Sequence, residues 1–153
     1  MPIKTFRGKL KDLTSETIHL HTNNGSTGYM IKKFELMSTQ PGAVDGEHVV
    51  QIFTIPKTDT SKYDNIDFSD QTLLAASFYK TDTAETNTDS QFVIFDNMIF
   101  NQDIYVVHKD VKVPSGTGLP VNYHIELEQV RLDLNDNTMA TLKDIKNIEA
   151  SYL

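Results

Sequence analysis

Residues 119–134, LPVNYHIELEQVRLDL, alternate apolar and polar side chains along one stretch of the chain. The apolar members of the first part fall on every second residue and are Val121, Tyr123, Ile125 and Leu127. A period of two predicts a half-buried β-strand. The apolar residues then slip by one position, at Val130, Leu132 and Leu134. One extra residue near 128–129, as in a β-bulge, would keep both sets on one face, so we expect a long strand that is bent once.

Shorter strands, separated by turn signals, are predicted elsewhere in the chain. Segment 3–10 alternates weakly and is predicted to be a first edge strand, while segment 28–37 changes phase at Lys32 and Lys33 and is a second candidate for a bulge. Segment 47–55 is rich in apolar residues and is predicted to be a strand buried on both faces. About seven to nine such strands favour an all-β fold, a two-sheet antiparallel sandwich of jelly-roll type.

The C-terminal part of the chain changes its period. Its apolar residues are spaced by threes, at Met139, Leu142, Ile145 and Ile148. This spacing predicts a short helix with Asn137 or Thr138 as its N-cap, and the alternative is a final strand over 138–145. We therefore expect a single domain over residues 1–153, with an N-terminal arm at 1–11 and a C-terminal segment at 138–153.

Composition and charge limit the classes of partner. The chain has 153 residues, 39% of them hydrophobic, which fits one packed domain. Its formal net charge of -7 repels phosphate backbones and anionic lipid, so neither nucleic acid nor a membrane is an expected partner. The absence of cysteine excludes disulfides and thiolate chemistry, and no cofactor is expected. No apolar run approaches the ~20 residues of a membrane-spanning helix, and the first residues lack the apolar core of a secretory signal.

Two sets of residues are candidate metal ligands. His19 and His21 lie on one face of a predicted strand, as in some metal-binding jelly rolls, although the glycine and glutamate that accompany the histidines of cupins are missing. Asp133, Asn135 and Asn137 match positions one, three and five of a calcium loop, but Thr138 replaces the glycine at position six. Solvated histidines and a helix-start turn explain the same residues, and we favour these interpretations.

The polar face of the 119–134 strand carries His124, Glu126 and Glu128. Two carboxylates on one strand resemble the catalytic strand of jelly-roll glucanases, but the aspartate which that family places between them is replaced by Leu127. The chain also has no tryptophan to stack on a sugar. A solvated strand face is the better interpretation, and we expect a protein that is not an enzyme.

Three segments resemble small virion-associated proteins of marine bacteriophages. They are TNNGSTGYMIKKFELM at 22–37, VIFDNMIFNQDIYVVHKD at 93–110 and DLNDNTMATLKDIKN at 133–147. The resemblance covers most of the chain and implies a structural protein of the particle, a β-sandwich repeated many times in a shell. A capsid subunit, a decoration (cement) protein and a tail piece all fit this resemblance. We expect a capsid decoration or minor capsid protein, made in the host cytoplasm and placed on the outside of the virion, where an acidic protein does not meet the DNA. Its expected partners are other copies of itself, in a homo-oligomer such as a trimer, and a major capsid protein.

The two ends of the chain are the candidate contact elements for these partners, since terminal arms commonly add strands to a neighbour. The N-terminal arm concentrates positive charge in an acidic chain, at Lys4, Arg7, Lys9 and Lys11. The C-terminal segment offers the apolar residues Met139, Leu142 and Ile145. Two alternatives belong to other classes: a carbohydrate- or receptor-binding module on the same sandwich, and a small enzyme that uses a metal at His19 and His21.

Overall fold

A computed structural model of the protein describes residues 2–20, 26–41, 43–81, 89–95, 98–112 and 118–132. This part of the chain forms eight β-strands and, between the fourth and fifth strands, a 3-10 helix at Thr60–Lys62. In chain order the strands are β1 (Ile3–Leu10), β2 (Thr14–Ile18), β3 (Thr27–Ser38), β4 (Gly46–Phe53), β5 (Leu73–Thr81), β6 (Asp89–Ile94), β7 (Ile104–Asp110) and β8 (Val121–Arg131).

The strands form two antiparallel sheets that pack face to face. The first sheet has the order β1-β8-β3, and the second has the order β2-β7-β4-β5-β6. A jelly roll is a long antiparallel hairpin rolled into a sandwich, in which strand 1 pairs with 8, 2 with 7, 3 with 6 and 4 with 5. Three of these pairings are present, but β6 pairs with β5 instead of β3. The predicted sandwich of jelly-roll type is confirmed, with β6 displaced to the second sheet.

The core lies between the sheets and is built from alternate residues of the strands. Strand β8, at the centre of the first sheet, contributes the predicted set of Val121, Tyr123, Ile125 and Leu127, all of them buried. From the second sheet come Val50, Ile52, Ile104 and Val106, which are fully buried. Burial of such a side chain contributes about 1.5–3 kcal/mol. The period-two pattern therefore places most of the apolar surface where the two sheets meet.

The bulge in the first sheet lies in β3 rather than in β8. Strand β8 pairs with β1 and with β3 through 128–129 without a register shift there, so the bulge predicted at that place is wrong. The register shifts on β3 between Ile31 and Lys33, which confirms the second predicted bulge. The register continues past Arg131, because the N–H of Leu132 donates to the carbonyl of Ser26 (2.6 Å). Leu132 is buried next to Gly28, on the face opposite to the 121–127 set.

A second, smaller cluster lies on the outer face of the second sheet. Phe53, Tyr63, Leu73 and Val107 form it, under the segment that connects β4 to β5. Strand β4 is therefore buried on both faces, as predicted. Within the connecting segment Tyr63 is buried, whereas Ile66 and Phe68 are exposed.

The N-terminal segment is an integral strand. Residues Ile3–Leu10 pair along their whole length with β8 and form an edge of the first sheet, which confirms the predicted edge strand. Leu10 is buried in the core. The predicted C-terminal helix lies outside the described residues. Among the described residues, no helix has the length and apolarity needed to span a bilayer.

Candidate functional site: the β6 edge and the groove beside it

The two sheets differ in width, and this difference leaves β6 only partly covered. The first sheet ends with β3, which packs over β5 and to a smaller extent over β6, the outermost strand of the wider sheet. Along β6, residues 89–93 are exposed and only Ile94 is half-buried. Phe92 is 58% exposed and Val93, which points to the opposite face, is 40% exposed. Strand β6 therefore presents apolar side chains to solvent on both of its faces.

The backbone of β6 also has a free edge. The N–H of Phe95 donates to the carbonyl of Leu74 (3.1 Å), and the pairing continues without a shift from Ile94 to Asp89. In an antiparallel ladder, alternate residues bond to the same neighbour. The N–H and C=O groups of Ser90, Phe92 and Ile94 therefore point away from β5, and they have no hydrogen-bond partner among the described residues. We call these three backbone units the β6 edge.

A groove of about 820 Å³ runs beside this edge. Its walls include Phe34, Leu36 and Met37 of β3 on one side and Ser90, Gln91 and Phe92 of β6 on the other. The groove, called here the β3–β6 groove, also reaches the two other strands of the first sheet, at Arg7, Gly8 and Lys9 of β1 and at Asn122, Tyr123 and His124 of β8. Its mixed apolar and polar walls and the adjacent edge of β6 suit an extended protein segment.

A second feature, a buried histidine pair, lies at one end of the core. Nδ1 of His108 donates to the carbonyl of Lys11 (2.9 Å), which leaves Nε2 of His108 as an acceptor. Nδ1 of His48 donates to that Nε2 (3.0 Å). Both side chains are fully buried, and Nε2 of His48 has no partner within the described part of the chain. This arrangement fixes both histidines in the neutral form.

The pKa values of the pair follow from this geometry. Burial, followed by the neighbouring His108, lowers the pKa of His48 from 6.5 to about 4, although Asp110 and Asp12 act in the opposite direction. Burial likewise lowers the pKa of His108, against the influence of the Lys11 carbonyl and the two aspartates. The pair therefore stays uncharged at neutral pH.

Two buried aspartates next to the pair bind backbone groups. Oδ1 of Asp12 accepts from the N–H of Asp110 (2.7 Å), and Oδ2 accepts from the N–H of Gly118 (3.0 Å). Asp110 in turn accepts from the N–H groups of Glu47 (3.2 Å) and Leu119 (3.0 Å). These carboxylates connect β4, β7 and the segments before β2 and β8. Their role is to hold the sandwich together at this end.

The predicted metal ligands do not form a site in the part of the chain that is described. His19 is exposed, and its Nδ1 lies 3.3 Å from Oδ2 of Asp103. Oδ1 of Asp103 accepts from the N–H of Leu20 (2.7 Å), which replaces strand pairing, and β2 ends at Ile18. The described residues contain no group of three or more potential ligands. The other candidates lie outside the described residues: His21, Asp133, Asn135 and Asn137.

The structure divides the predicted basic contact residues between two faces. Lys4 points to the inner side, where its Nζ donates to the hydroxyl of Tyr29 (3.4 Å). Arg7 and Lys9 point to the outer face of the first sheet, opposite His124 and Asn122 on β8. Lys11 is exposed just after β1. Their role as contacts stays a prediction, as does that of Met139, Leu142 and Ile145, which lie outside the described residues.

The three polar residues of β8 lie on the outer face of the first sheet, as their alternation predicts. Glu128 forms an ion pair with Lys32 (3.1 Å). Glu126 lies opposite Thr5 and Lys33 in the neighbouring strands. The two glutamates make the contacts of a charged sheet face, whereas Nδ1 of His124 is buried and has no hydrogen-bond partner among the described residues.

Sequence reasoning overlooked both the β6 edge and the histidine pair. A usable signal existed for the histidines, because His48 continues the inward phase of Val50 and Ile52, and His108 continues that of Ile104 and Val106. Strand β6 had no comparable signal, since its place depends on which of two strands it pairs with.

Comparison of the chain with protein-family models and with curated proteins gave no match.

Proposed function

We propose that this protein is a structural protein of a bacteriophage virion, a capsid decoration or minor capsid protein that self-associates and binds the capsid shell. The observation that carries the proposal is the β6 edge, the outer side of a strand that pairs with β5 alone among the described residues and exposes apolar side chains on both faces. Natural sandwiches usually protect such edges with charge, proline or a covering segment. An edge left open in this way suits a protein whose working state is an assembly. The resemblance of three segments to phage virion proteins supplies the biological setting.

Binding in this proposal needs no chemistry. Main-chain hydrogen bonds along β6 provide affinity, and the β3–β6 groove provides pockets for alternate side chains of an added strand. Arg7 and Lys9, on the outer face of the first sheet, provide positive charge that suits an acidic neighbour in the shell. They also line the β3–β6 groove, so self-association and shell binding would use adjoining surfaces.

The test starts from purified particles. Mass spectrometry of gradient-purified virions should detect the protein in many copies per particle, and the isolated protein should co-sediment with particles from which it has been removed. Absence from virions and no co-sedimentation would contradict the proposal.

Substitutions are better suited than deletions to test the basic surface. Removing residues 2–11 would delete β1, expose the edge of β8 and remove Leu10 from the core, so we expect unfolding. The double variant Arg7→Glu and Lys9→Glu keeps the strand and should weaken co-sedimentation about tenfold or more. A matched reversal at Lys62, in the 3-10 helix on the other side of the sandwich, should have little effect.

The groove also favours a second candidate, a carbohydrate- or receptor-binding module. The exposed ring of Phe92 lies in a groove that also includes Arg7, Glu35, Gln91 and Asn122. An aromatic ring beside charged and amide side chains is a combination that binds sugars. A glycan array separates the two functions: specific binding that is lost in Phe92→Ala supports the module, and no binding leaves the structural role.

A further inference from the structure

We infer that two copies of this chain associate by antiparallel pairing of their β6 edges, with Phe92 of one copy opposite Phe92 of the other. The inference deepens the proposed function, because it specifies the self-association on which that function rests. The second sheets of the two copies would then form one continuous sheet across a two-fold axis. An isologous contact of this kind closes on itself and gives a dimer rather than the trimer suggested above.

The register follows from the direction of the free backbone groups. Ser90, Phe92 and Ile94 point their N–H and C=O groups outward, and in an antiparallel ladder outward-pointing residues must meet one another. Placing Phe92 opposite Phe92 also places Ser90 opposite Ile94 of the second copy, and Ile94 opposite Ser90. All three outward units then bond, which no other symmetric register of this strand achieves.

The side chains fit the same register. The rings of Phe92 from the two copies lie next to each other on the face that borders the β3–β6 groove, where each is 58% exposed in the single chain. On the opposite face, Val93 lies beside Gln91 of the second copy. Asp89, the charged residue of β6, falls opposite Phe95 of the second copy, so the two aspartates lie at opposite ends of the contact. Two acidic chains therefore meet without a clash of like charges at this strand.

The other strand edges are less suited to this contact. Strand β1 carries Lys4, Arg7 and Lys9, and lysines on an edge oppose strand addition. The free side of β3 is partly covered, because Tyr29 and Phe100 exchange backbone hydrogen bonds of 2.8 and 3.0 Å. Strand β2 exposes only Ser15 and Glu16, which are polar. Exposed apolar residues on both faces distinguish β6 among these edges.

The first test is the mass of the free protein in solution. Light scattering coupled to size exclusion should give the mass of two chains at micromolar concentration. Phe92→Lys should raise the dimer dissociation constant at least about tenfold, because an edge lysine opposes pairing, while circular dichroism should show an unchanged fold. Ile3→Lys is the matched control, since Ile3 is 51% exposed and lies on β1, at an edge of the other sheet, and this variant should remain dimeric. A monomeric wild-type protein, or a dimer that Phe92→Lys leaves intact, would overturn the inference.

The second test reads the register directly and uses the absence of native cysteine. In the proposed register Gln91 and Val93 of different copies form a non-hydrogen-bonded pair, whose short separation suits a disulfide. A mixture of Gln91→Cys and Val93→Cys chains should therefore cross-link under mild oxidation, while each variant alone should not. Ser15→Cys, on the opposite edge of the same sheet, is the negative control. Efficient cross-linking of Gln91→Cys alone, or of Val93→Cys alone, would refute the register.

These results separate the inference from the proposed function. A dimer with the predicted cross-link that does not bind particles supports the inference and contradicts the virion role. A protein that binds particles but is monomeric, and not cross-linked through β6, contradicts the inference and leaves the virion role in place.

Discussion

Mild acid should destabilise this protein through the buried His48–His108 pair. The neutral pair uses both Nδ1–H groups as donors, and an added proton would have to sit on the fully buried Nε2 of His48, for which no acceptor lies within the described residues. The folded protein therefore resists protonation of His48, whose pKa is lowered to about 4, whereas the unfolded chain takes up a proton near 6.5. The groups facing the pair are Asp12, Asp110 and, with its ring centre 6.3 Å from that of His48, Tyr79.

The direction and size of the effect follow from linkage between protonation and folding. Between pH 6.5 and about 4 the unfolded chain binds more protons than the folded one, so the free energy of unfolding falls as the pH is lowered through this window. The contribution is fully present at neutral pH. With about 1.36 kcal/mol for each pKa unit, the loss from His48 reaches ~2 kcal/mol at pH 5 and ~3 kcal/mol at pH 4. Asp59 and Asp67 also have lowered pKa values, but they affect stability only below about pH 3.8, the ordinary pKa of an aspartate. A measurement at pH 5 therefore avoids their contribution.

Urea unfolding at pH 7 and at pH 5 measures this loss. The wild-type free energy of unfolding should fall by about 2 kcal/mol or more, since His108 adds to the effect in the same direction. His48→Gln, which replaces the imidazole with an amide that does not titrate, should be less stable at pH 7 but should lose much less between the two values. His19→Gln, on an exposed site, should keep the wild-type difference. Equal stability of the wild-type protein at both pH values would show that the pair is not held neutral as argued.

Three further predictions concern stability and can be measured by thermal or urea unfolding. Gly118→Ala should lower the free energy of unfolding by about 1–3 kcal/mol, because the new Cβ would lie 2.8 Å from Cγ of Asp12 and would also contact Asp110. An unchanged unfolding midpoint would show that the backbone around Gly118 shifts freely. Asp12→Ala should lower the free energy of unfolding by ~2–4 kcal/mol, because two backbone N–H groups lose their acceptor. A smaller decrease would mean that water replaces the carboxylate. Lys57→Met should cost no more than ~1 kcal/mol, since the 3.0 Å pair with Asp70 is partly exposed, and a larger loss would contradict that estimate.

The fold was predictable from sequence wherever burial on one face imposed a local period. The alternation over 121–127 survives unchanged in β8, because a shift of one residue would turn every apolar side chain into water. The phase slip after Glu128 was ambiguous, since an inserted residue and a change of the buried face both produce it. The register stays constant through Val130 and Leu132, so the structure shows that these two residues lie on the face opposite to the 121–127 set. The phase change in β3 occurs in the middle of a paired strand. A bulge there keeps the apolar residues before and after it on the face that packs against the core.

The candidate site was less predictable because it depends on pairing between distant parts of the chain. His48 and His108 are 60 residues apart and meet because β4 pairs with β7, with Val50 opposite His108 in that ladder. Local sequence contains the inward phase of each histidine but not the register that joins them. The position of β6 is still harder to predict, because the six residues of Asp89–Ile94 could complete either sheet.

The displacement of β6 connects the fold to the proposed function. If β6 paired with β3, Phe92 would face the core and both sheets would have four strands, which would leave little apolar edge for a partner. Pairing with β5 instead leaves the outward backbone groups of β6 without partners among the described residues, and it leaves the ring of Phe92 58% exposed. A strand added at this edge would bond those groups and cover the ring, which is the contact that the inferred dimer provides.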